Sequence, residues 1–380
     1  MSLVQRERAE LPIGRQVARW RVRRRMTQQV FADRLGKSKS WVDKVERGVR
    51  ALDRYSVIQE IAEVLHLDPA VLLGPRQPPP STAAGLDGVD ALRDALARYH
   101  RPVIRAVPGD QVERHLAHAW LTYQHAHYAQ LLRSLPALLD AAHGAPTLLV
   151  PAYRITASVL VKLGEADLAW LAADRAVTAA ATDPTRTGTA TIAVAQALRA
   201  LSRDRLALTA CVRAADTTTD DAVRGTLLVQ GGLAAASGGD RRNADDLLNH
   251  AADLADRRTT DDPHHTAFGP TAVLLARALA ALTLGDTEEA IYRHERAARR
   301  ADWPALPAEH RAAHLVDVAR AYLQTGNVAA AGQALVDADR IAPAEVRYRP
   351  YARTVIAEIA RSGPAAAGVT RLAAIVGLTR

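Results

Sequence analysis

Three lysines lie close together in a chain that otherwise uses arginine for its positive charge. Of the 49 Lys and Arg residues, only Lys37, Lys39, Lys44 and Lys162 are lysines. The first three fall within TQQVFADRLGKSKSWVDKVERG, residues 27–48. A lysine ammonium is a compact charge on a flexible stem, and it can donate to guanine O6 and N7 or to a phosphate oxygen. This clustering indicates contacts with nucleic acid.

The net charge of +8 is concentrated at the same end of the chain. Residues 1–74 contain 15 basic and 9 acidic side chains, whereas residues 75–380 contain 34 and 32. An excess of positive charge on a fifth of the chain is typical of a nucleic-acid-binding head on a nearly neutral body. An ordinary solvated basic face would give the same balance, so charge alone does not separate the two.

Short helices are predicted around the three lysines. The second helix begins after the cap Thr27 and ends at Gly36, and the third begins after Ser38 and ends at Gly48. Apolar spacing predicts three more: a first helix with Ile13, Val17 and Trp20 inward, a fourth over about 55–66, and a fifth after Asp68-Pro69. Two helices joined by a tight glycine turn form a helix-turn-helix, whose second helix can enter a DNA major groove.

The head resembles the Xre-type, or lambda-repressor-like, helix-turn-helix family. The family pattern of Thr-Gln, Phe-Ala, Leu-Gly, a Ser cap and Glu-Arg-Gly is present, and the resemblance covers residues 11–74 with five helices in order. It implies that Gln28 touches the DNA backbone and that Arg21 and Glu46 form an internal ion pair. It also implies the base-reading positions of the recognition helix, which are Lys39, Ser40 and Lys44.

The remaining DNA contacts are assigned around that helix. Lys39 and Lys44 lie opposite its apolar side and are expected in the groove, whereas Lys37, Arg47 and Arg50 are expected on the backbone. Trp41 is expected to be an exposed aromatic lying against sugar or phosphate. The cap residue Ser38 completes the set. Lysine at two contact positions suggests guanine-containing half-sites in double-stranded DNA.

The body is periodic. Five similar segments occur after residue 160, and each has a turn residue followed by a small residue and then an alanine at matched positions. Their turn residues are 38, 37, 46 and 41 positions apart. These turn residues are Gly164, Ser202, Gly239, Gly285 and Gly326. One matched column holds Ala169, Ala207, Ala244, Ala290 and Ala331, and a second holds Ala176, Ala214, Ala251, Ala297 and Ala338. Small residues at fixed points of helix pairs are expected where neighbouring helices approach closely, so the units must stack.

The chain is divided accordingly, and the predicted fold is all-α. The domains are an N-terminal tail (1–10), the Xre-type DNA-binding domain (11–74), a Pro-rich linker (75–85), a connecting helix (86–109) and a helical-repeat domain (110–380). An earlier unit at about 110–142 and a closing pair after Pro350 bring the repeats to roughly seven hairpins. The body resembles a divergent tetratricopeptide-repeat array, which implies a superhelix with a concave face.

The combination of head and body narrows the expected function. It resembles the peptide-pheromone-responsive regulators of Gram-positive bacteria, which implies quorum sensing, a homodimer held by the body, an inverted-repeat operator, and a short peptide or small-molecule ligand in the groove. Seven polar residues are predicted near the concave side: Arg154, Ser158, Gln196, Arg199, Asp317, Arg320 and Gln324. The alternative is an adaptor that the head tethers to DNA while the array binds a partner protein.

Other functional classes receive little support. No GxSxG, HExxH or paired catalytic constellation occurs, so we expect neither an enzyme nor a cofactor. The cluster of His115, His118, His125 and His127 lacks the cysteine or acidic partners of a metal site. The single cysteine, Cys211, is predicted to be a small core residue, and its isolation favours a reducing cytoplasm. Neither a signal peptide nor an apolar run long enough for a membrane span is present.

Overall fold

The computed structural model of the chain describes residues 13–24, 26–48, 52, 55–65, 88–98, 107–257, 262–362 and 367–378. The chain divides into two compact units, Met1–Pro80 and Ser81–Arg380, called here the head and the body. The described residues form helices joined by turns, which confirms the all-α prediction. The predicted tail, the fifth helix of the head and the Pro-rich linker lie outside the described residues.

Four helices of the head are described: α1 (Ile13–Arg23), α2 (Gln28–Arg34), α3 (Lys39–Glu46) and α4 (Tyr55–Val64). The Thr27 hydroxyl accepts a hydrogen bond from Val30 N at 3.2 Å, and the Ser38 hydroxyl accepts one from Trp41 N at 3.1 Å. These bonds cap α2 and α3, as the sequence predicts. Between the two helices, Gly36 has a φ of 61°, a left-handed conformation that glycine adopts at low cost.

One small core holds the head together. Its largest buried side chains come from all four helices and from the turn after α4: Val17, Phe31, Val42, Ile61 and Leu65. At Gly14 the backbones of α1 and α3 meet so closely that an added Cβ would stand 2.0 Å from the Val45 carbonyl oxygen. This contact fixes the orientation of α3 against α1.

The body is an array of helical hairpins that follows a single helix, α5 (Val89–Ala97). The first three hairpins are α6 (Gly109–Gln124) with α7 (Tyr128–Ala142), α8 (Leu149–Leu163) with α9 (Ala166–Ala180), and α10 (Pro184–Ala200) with α11 (Asp204–Thr217). The next three are α12 (Asp221–Ser237) with α13 (Arg241–Ala255), α14 (Pro270–Thr283) with α15 (Thr287–Ala298), and α16 (Ala308–Gln324) with α17 (Val328–Ile341). The short α18 (Pro343–Arg347) leads to the last pair, α19 (Pro350–Arg361) and α20 (Ala367–Ile375).

The repeat columns predicted from the sequence are confirmed. All five turn residues have positive φ values, between 57° at Ser202 and 90° at Gly285. Every alanine of both columns is buried, and none is more than 7% exposed. Alanine is needed there because a larger side chain would separate helices that pack backbone to backbone. Cys211 is likewise buried, as predicted for a small core residue.

The first and last hairpins of the body pack against each other. One continuous apolar core contains residues from α5 to α10 and also from α16 to α20, whereas α12 to α15 contribute to separate, smaller clusters. A Cβ added at Gly164, at the end of α8, would stand 2.8 Å from the ring of Pro350 at the start of α19. The array is therefore closed, with its end returning to its beginning.

Among the described residues, none of the helices combines the length and the hydrophobicity that crossing a lipid bilayer requires.

Candidate DNA-binding face and body cavity

The exposed side of α3 carries the residues expected to read bases. Lys39, Ser40 and Lys44 are all exposed, whereas Val42 and Val45 on the opposite side are buried in the head. The structure therefore brings the three polar side chains onto one accessible face of a short helix. Lysine and serine on such a face can donate to base edges in a major groove.

Two further cations border this face. Lys37 is exposed in the turn before α3, and Arg47 follows the helix with its side chain 63% exposed. Arg47 Nη1 lies 3.3 Å from a carboxylate oxygen of Asp43, a weak surface pair that a phosphate can replace. Arg50, the third residue expected on the backbone, lies outside the described residues.

A buried carboxylate holds α1, α2 and α3 together. Glu46 is 6% exposed; its Oε1 accepts from Arg21 Nε at 2.5 Å, and its Oε2 accepts from Arg21 Nη2 at 3.0 Å. Gln28 Nε2 donates to the same carboxylate at 2.9 Å, and Arg21 Nη1 donates to the Met26 carbonyl at 2.7 Å. A charged pair this deep requires such extra hydrogen bonds to offset its desolvation. The network fixes α3 in place while its outer face stays exposed.

Two side chains expected at the DNA are also engaged within the head. Trp41 is half-buried and packs against the core of the head, so it is less open than the exposed aromatic that the sequence predicts. The side chain of Gln28, expected at the DNA backbone, is half-buried and donates to Glu46. Their contacts with DNA stay predictions.

The body contains a half-open cavity of about 190 Å³, called here the body cavity. Its walls come from the first helix of each of six successive hairpins, α6, α8, α10, α12, α14 and α16. Four of the seven predicted ligand residues line it: Arg154, Ser158, Gln196 and Asp317. The repeat register thus correctly places these side chains on the inner helices.

The other three predicted ligand residues do not line this cavity. Arg199 lies behind Gln230, to which its Nη1 donates at 2.8 Å. Arg320 Nη1 donates to the Tyr351 hydroxyl at 3.4 Å, and Gln324 accepts from the Thr287 hydroxyl at 3.0 Å. All three stand on inner helices, but a helix has 3.6 residues per turn and only one side of each helix borders the cavity.

An irregular segment between α13 and α14 closes one side of the cavity. This strap, residues 262–269, is shaped by Asp262, whose carboxylate accepts from Thr266 N at 2.9 Å and from Ala267 N at 2.7 Å. The ring of Phe268 is buried against Gly225 of α12, where an added Cβ would stand 2.0 Å from the ring. The Asp262 bonds hold the strap's own shape, and the Phe268 contact fixes the strap against α12.

The strap also reaches across to the first two hairpins. Arg154 of α8 donates to the carbonyls of His264 and His265, the latter at 3.1 Å. The His265 ring stacks on Trp120 of α6 with 5.1 Å between centroids, and the Arg154 guanidinium lies 4.7 Å from the Trp120 centroid. Arg154, predicted to bind a ligand, is thus already engaged in holding the strap.

Neither the strap residues nor Trp120 is predicted from the sequence to take part in a site. Trp120 is more than a hundred positions from His264 and His265 in the sequence, so no spacing pattern joins them. The one available signal was the pair of adjacent histidines in an unusually long connection, TTDDPHHTAFGP.

Buried charges lie at the α16 side of the cavity. The Lys162 ammonium contacts Glu309 Oε2 at 2.6 Å and Glu345 Oε1 at 2.9 Å. Glu345 also accepts from the Tyr128 hydroxyl and, at 3.0 Å, from Arg349 Nη1. Although burial opposes it, the two carboxylates raise the pKa of Lys162 above its usual value. This group is the buried ionic network, and it joins α7 and α8 to α16, α18 and α19.

Two ionisable groups on the cavity wall have strongly shifted pKa values. Burial raises the pKa of the Asp317 carboxyl from 3.8 to about 6, although the positive charges of Arg349 and Lys162 favour its ionised form. Burial, with a contribution from His294, lowers the pKa of His314 to about 3, and the two rings are linked by a 3.0 Å hydrogen bond. His314 is therefore neutral at physiological pH, whereas Asp317 is largely ionised.

Comparisons with known proteins agree with the geometry of the head. A family model described as a helix-turn-helix domain matches residues 12–73. No curated protein matches the chain. The crystal structure of Bacillus thuringiensis PlcR in complex with the peptide PapR7 and DNA is similar with a TM-score of 0.39 and 11% identity, covering 87% of this chain and 95% of that chain. Residues 12–73 are therefore a DNA-binding helix-turn-helix domain, and the body that follows them is an all-helical array of hairpins.

Proposed function

We propose that the chain is a sequence-specific transcriptional regulator that binds DNA as a homodimer and senses a ligand in the body cavity. The observation that carries the proposal is the pairing of an exposed basic recognition face with a half-open cavity elsewhere in the chain. A protein that only binds DNA has no need for a cavity built from six hairpins. A ligand that favours one conformation of the array shifts the population of DNA-binding states.

Dimerisation follows from the small size of the head. The α3 helix has eight residues and presents three base-reading side chains, so one copy contacts only a few base pairs. Two copies with their recognition helices about 34 Å apart, or a multiple of that, would bind an inverted repeat. Ligand binding would act on operator affinity by changing this spacing.

The cavity favours a small ligand over a folded partner. A volume of about 190 Å³ admits a small molecule or one end of a short peptide, but not a protein domain. This observation supports sensing over the alternative in which the array is an adaptor for a partner protein.

The proposal is tested by selecting DNA fragments bound by the full-length chain, with and without a small-molecule extract of its native cells. We expect an inverted repeat to be enriched and its affinity to change when the extract is present. The double variant Lys39→Ala/Lys44→Ala should lose the enrichment. Enrichment that survives in this variant would contradict the assignment of the face, and sedimentation as a monomer on the operator would contradict the dimer.

A further inference from the structure

We infer that the body cavity takes a ligand whose ammonium group lies beside Asp317 and whose compact apolar body packs against α12 and α14. The inference rests on the proposed function, because it names the chemistry of the ligand that the cavity would sense. Three observations carry it. One charged side chain on the cavity wall has no protein partner, much of the remaining wall is aliphatic, and the cavity volume suits a small group.

Asp317 is the charged side chain without a partner on the cavity wall. Its carboxylate forms no hydrogen bond or ion pair with any residue of the described ranges. Burial raises its pKa to about 6. Nearby cations favour its ionised form without touching it. A partly buried carboxylate in this situation is stabilised most by a ligand cation that also donates hydrogen bonds.

The cations near the cavity are already engaged. Arg154 donates to two carbonyls of the strap and lies against Trp120. Lys162 is held by Glu309 and Glu345 in the buried ionic network. A ligand carboxylate would have to displace one of these contacts, whereas a ligand ammonium would displace none. The charge balance therefore favours a cation.

Much of the remaining wall is apolar. Beside the polar Gln196, Thr226 and Gln230, the helices α10, α12 and α14 contribute aliphatic side chains: Ile192, Val229, Leu233, Leu275 and Leu279. Such a wall stabilises an apolar group by removing it from water. The volume of about 190 Å³ is only slightly larger than the roughly 150 Å³ of an engineered cavity that accepts benzene. One ring or one branched aliphatic group fills this space, and because the cavity is half open a longer ligand can extend out of it.

The test compares three probes that share a phenyl ring on a short side chain and differ in charge: 2-phenylethylamine, 2-phenylethanol and phenylacetate. Binding to the full-length chain is measured by titration calorimetry at pH 7.5. We expect the amine to bind at least tenfold more tightly than either the alcohol or the acid, because only the amine gains a charged hydrogen bond with Asp317. Equal or tighter binding of the acid, or no binding of the amine at millimolar concentration, would overturn the inference.

Two variants test the role of Asp317 itself. Asp317→Asn keeps the shape but removes the charge, and should weaken amine binding about tenfold or more while leaving the binding of the alcohol unchanged. Alcohol binding thus reports that the cavity is intact. Asp174→Asn, at an exposed position on α9, is the matched control and should bind the amine like the unaltered chain. Unchanged amine affinity in Asp317→Asn would refute the proposed contact.

An ammonium on an apolar body can come from a free amine or from the N-terminus of a peptide. A second pair of probes separates these sources: the dipeptide amide Phe-Gly-NH2 and its N-acetylated form. Tighter binding of the free dipeptide than of 2-phenylethylamine would identify a peptide N-terminus as the source. If the acetylated form binds as well as the free form, the ammonium is not recognised and the inference fails.

The same titrations distinguish this inference from the proposed function. Operator affinity is measured with each amine at saturation. If an amine binds through Asp317 but leaves operator affinity unchanged, the ligand chemistry stands and the sensing function fails. If the native-cell extract changes operator affinity equally in the chain and in Asp317→Asn, sensing stands and the proposed ligand chemistry fails.

Discussion

The four lysines occupy two contrasting environments. Lys39 and Lys44 stand exposed on one face of α3, and Lys37 is exposed just before it. Lys162 is instead buried between two carboxylates in the body. In each case a compact ammonium with rotatable donors suits the site better than the planar fork of arginine. The first three can follow uneven base edges and phosphates, and the fourth can contact two carboxylates on different helices.

At the residue scale, Lys44→Ala should reduce discrimination at one base step, by about 1–3 kcal/mol. Lys37→Ala is the matched control, because a lysine on the phosphate backbone should weaken all sequences alike and lower the salt dependence by about one unit of slope. Competition gel shifts between the selected operator and its single-base variants measure both effects. Identical sequence profiles for the two variants would show that Lys44 does not read a base.

A second residue-scale prediction concerns Asp317 in the unliganded chain. Its folded pKa of about 6 lies above the usual 3.8, so the folded state binds a proton more tightly than the unfolded state between these values. The free energy of unfolding therefore falls as pH rises through this window, and the loss is complete above about pH 6. Asp317→Asn should stabilise the body at pH 7.5 by up to about 3 kcal/mol.

The check is denaturant unfolding of both proteins at pH 7.5 and pH 4. The gain should shrink towards zero at pH 4, where Asp317 is protonated when folded. The other charged and polar groups around Asp317 are present in both proteins; they are Arg349, Lys162, Glu345, Arg320, Arg199, Tyr351, His310 and His314. A variant less stable than the parent at pH 7.5 would show that Asp317 has a structural role.

At the scale of elements, close backbone approach determines how helices pair. In the body, the alanine columns let the helices of neighbouring hairpins meet, and in the head Gly14 does the same for α1 and α3. The position of α3 in the head therefore depends on a residue in α1 that is not itself part of the DNA-binding face. Any side chain at Gly14 would push the two helices apart.

Gly14→Ala should destabilise the head by about 1–3 kcal/mol, because its Cβ would overlap the Val45 carbonyl oxygen. Hydrogen exchange in the full-length chain should show faster exchange of amides in α1 to α3 and no change in the body. Gly109→Ala is the control, since an added Cβ there meets no atom within 4 Å. Uniformly unchanged exchange after Gly14→Ala would mean that α1 and α3 separate at little cost.

The elements are the level at which the sequence is most informative. Caps such as Thr27 and Ser38, turn residues such as Gly164 and the alanine columns act locally, so each leaves a signature within a few positions. The half-buried state of Trp41 could not be predicted in this way, because it depends on how far the rim of the core extends. The same limit explains why Arg320 and Gln324 were placed at the cavity, where only the rotation of α16 decides which side chains enter.

At the scale of the whole body, closure of the array is the main feature that no local pattern predicts. Lys162 and Glu309 are 147 residues apart, and Arg154 and the His264 carbonyl are 110 apart. Nothing in the repeat spacing states how many hairpins complete a turn of the superhelix. The buried ionic network and the strap depend on that number, and so does the body cavity.

Lys162→Met should destabilise the body by about 3–5 kcal/mol, because Glu309 and Glu345 would lose the ammonium held between them. Thermal unfolding followed with probes in each unit should show the loss in the body alone. Arg114→Met, which removes a pair with both side chains 68% exposed, is the control and should leave the stability of the body nearly unchanged. A comparably small loss for Lys162→Met would show that Glu309 and Glu345 tolerate burial without it.

An open row of repeats frays from its ends, since a terminal repeat has only one neighbour, and its stability is approximately a sum over adjacent pairs. A body whose last hairpins share a core with its first has no such terminal repeat. Removing α19 and α20 would strip the cover from α8 and α17 together, so partial loss at the C-terminus should melt the opposite end as well. Protease trimming of this chain should accordingly proceed in one step, without a ladder of intermediates one hairpin shorter each time.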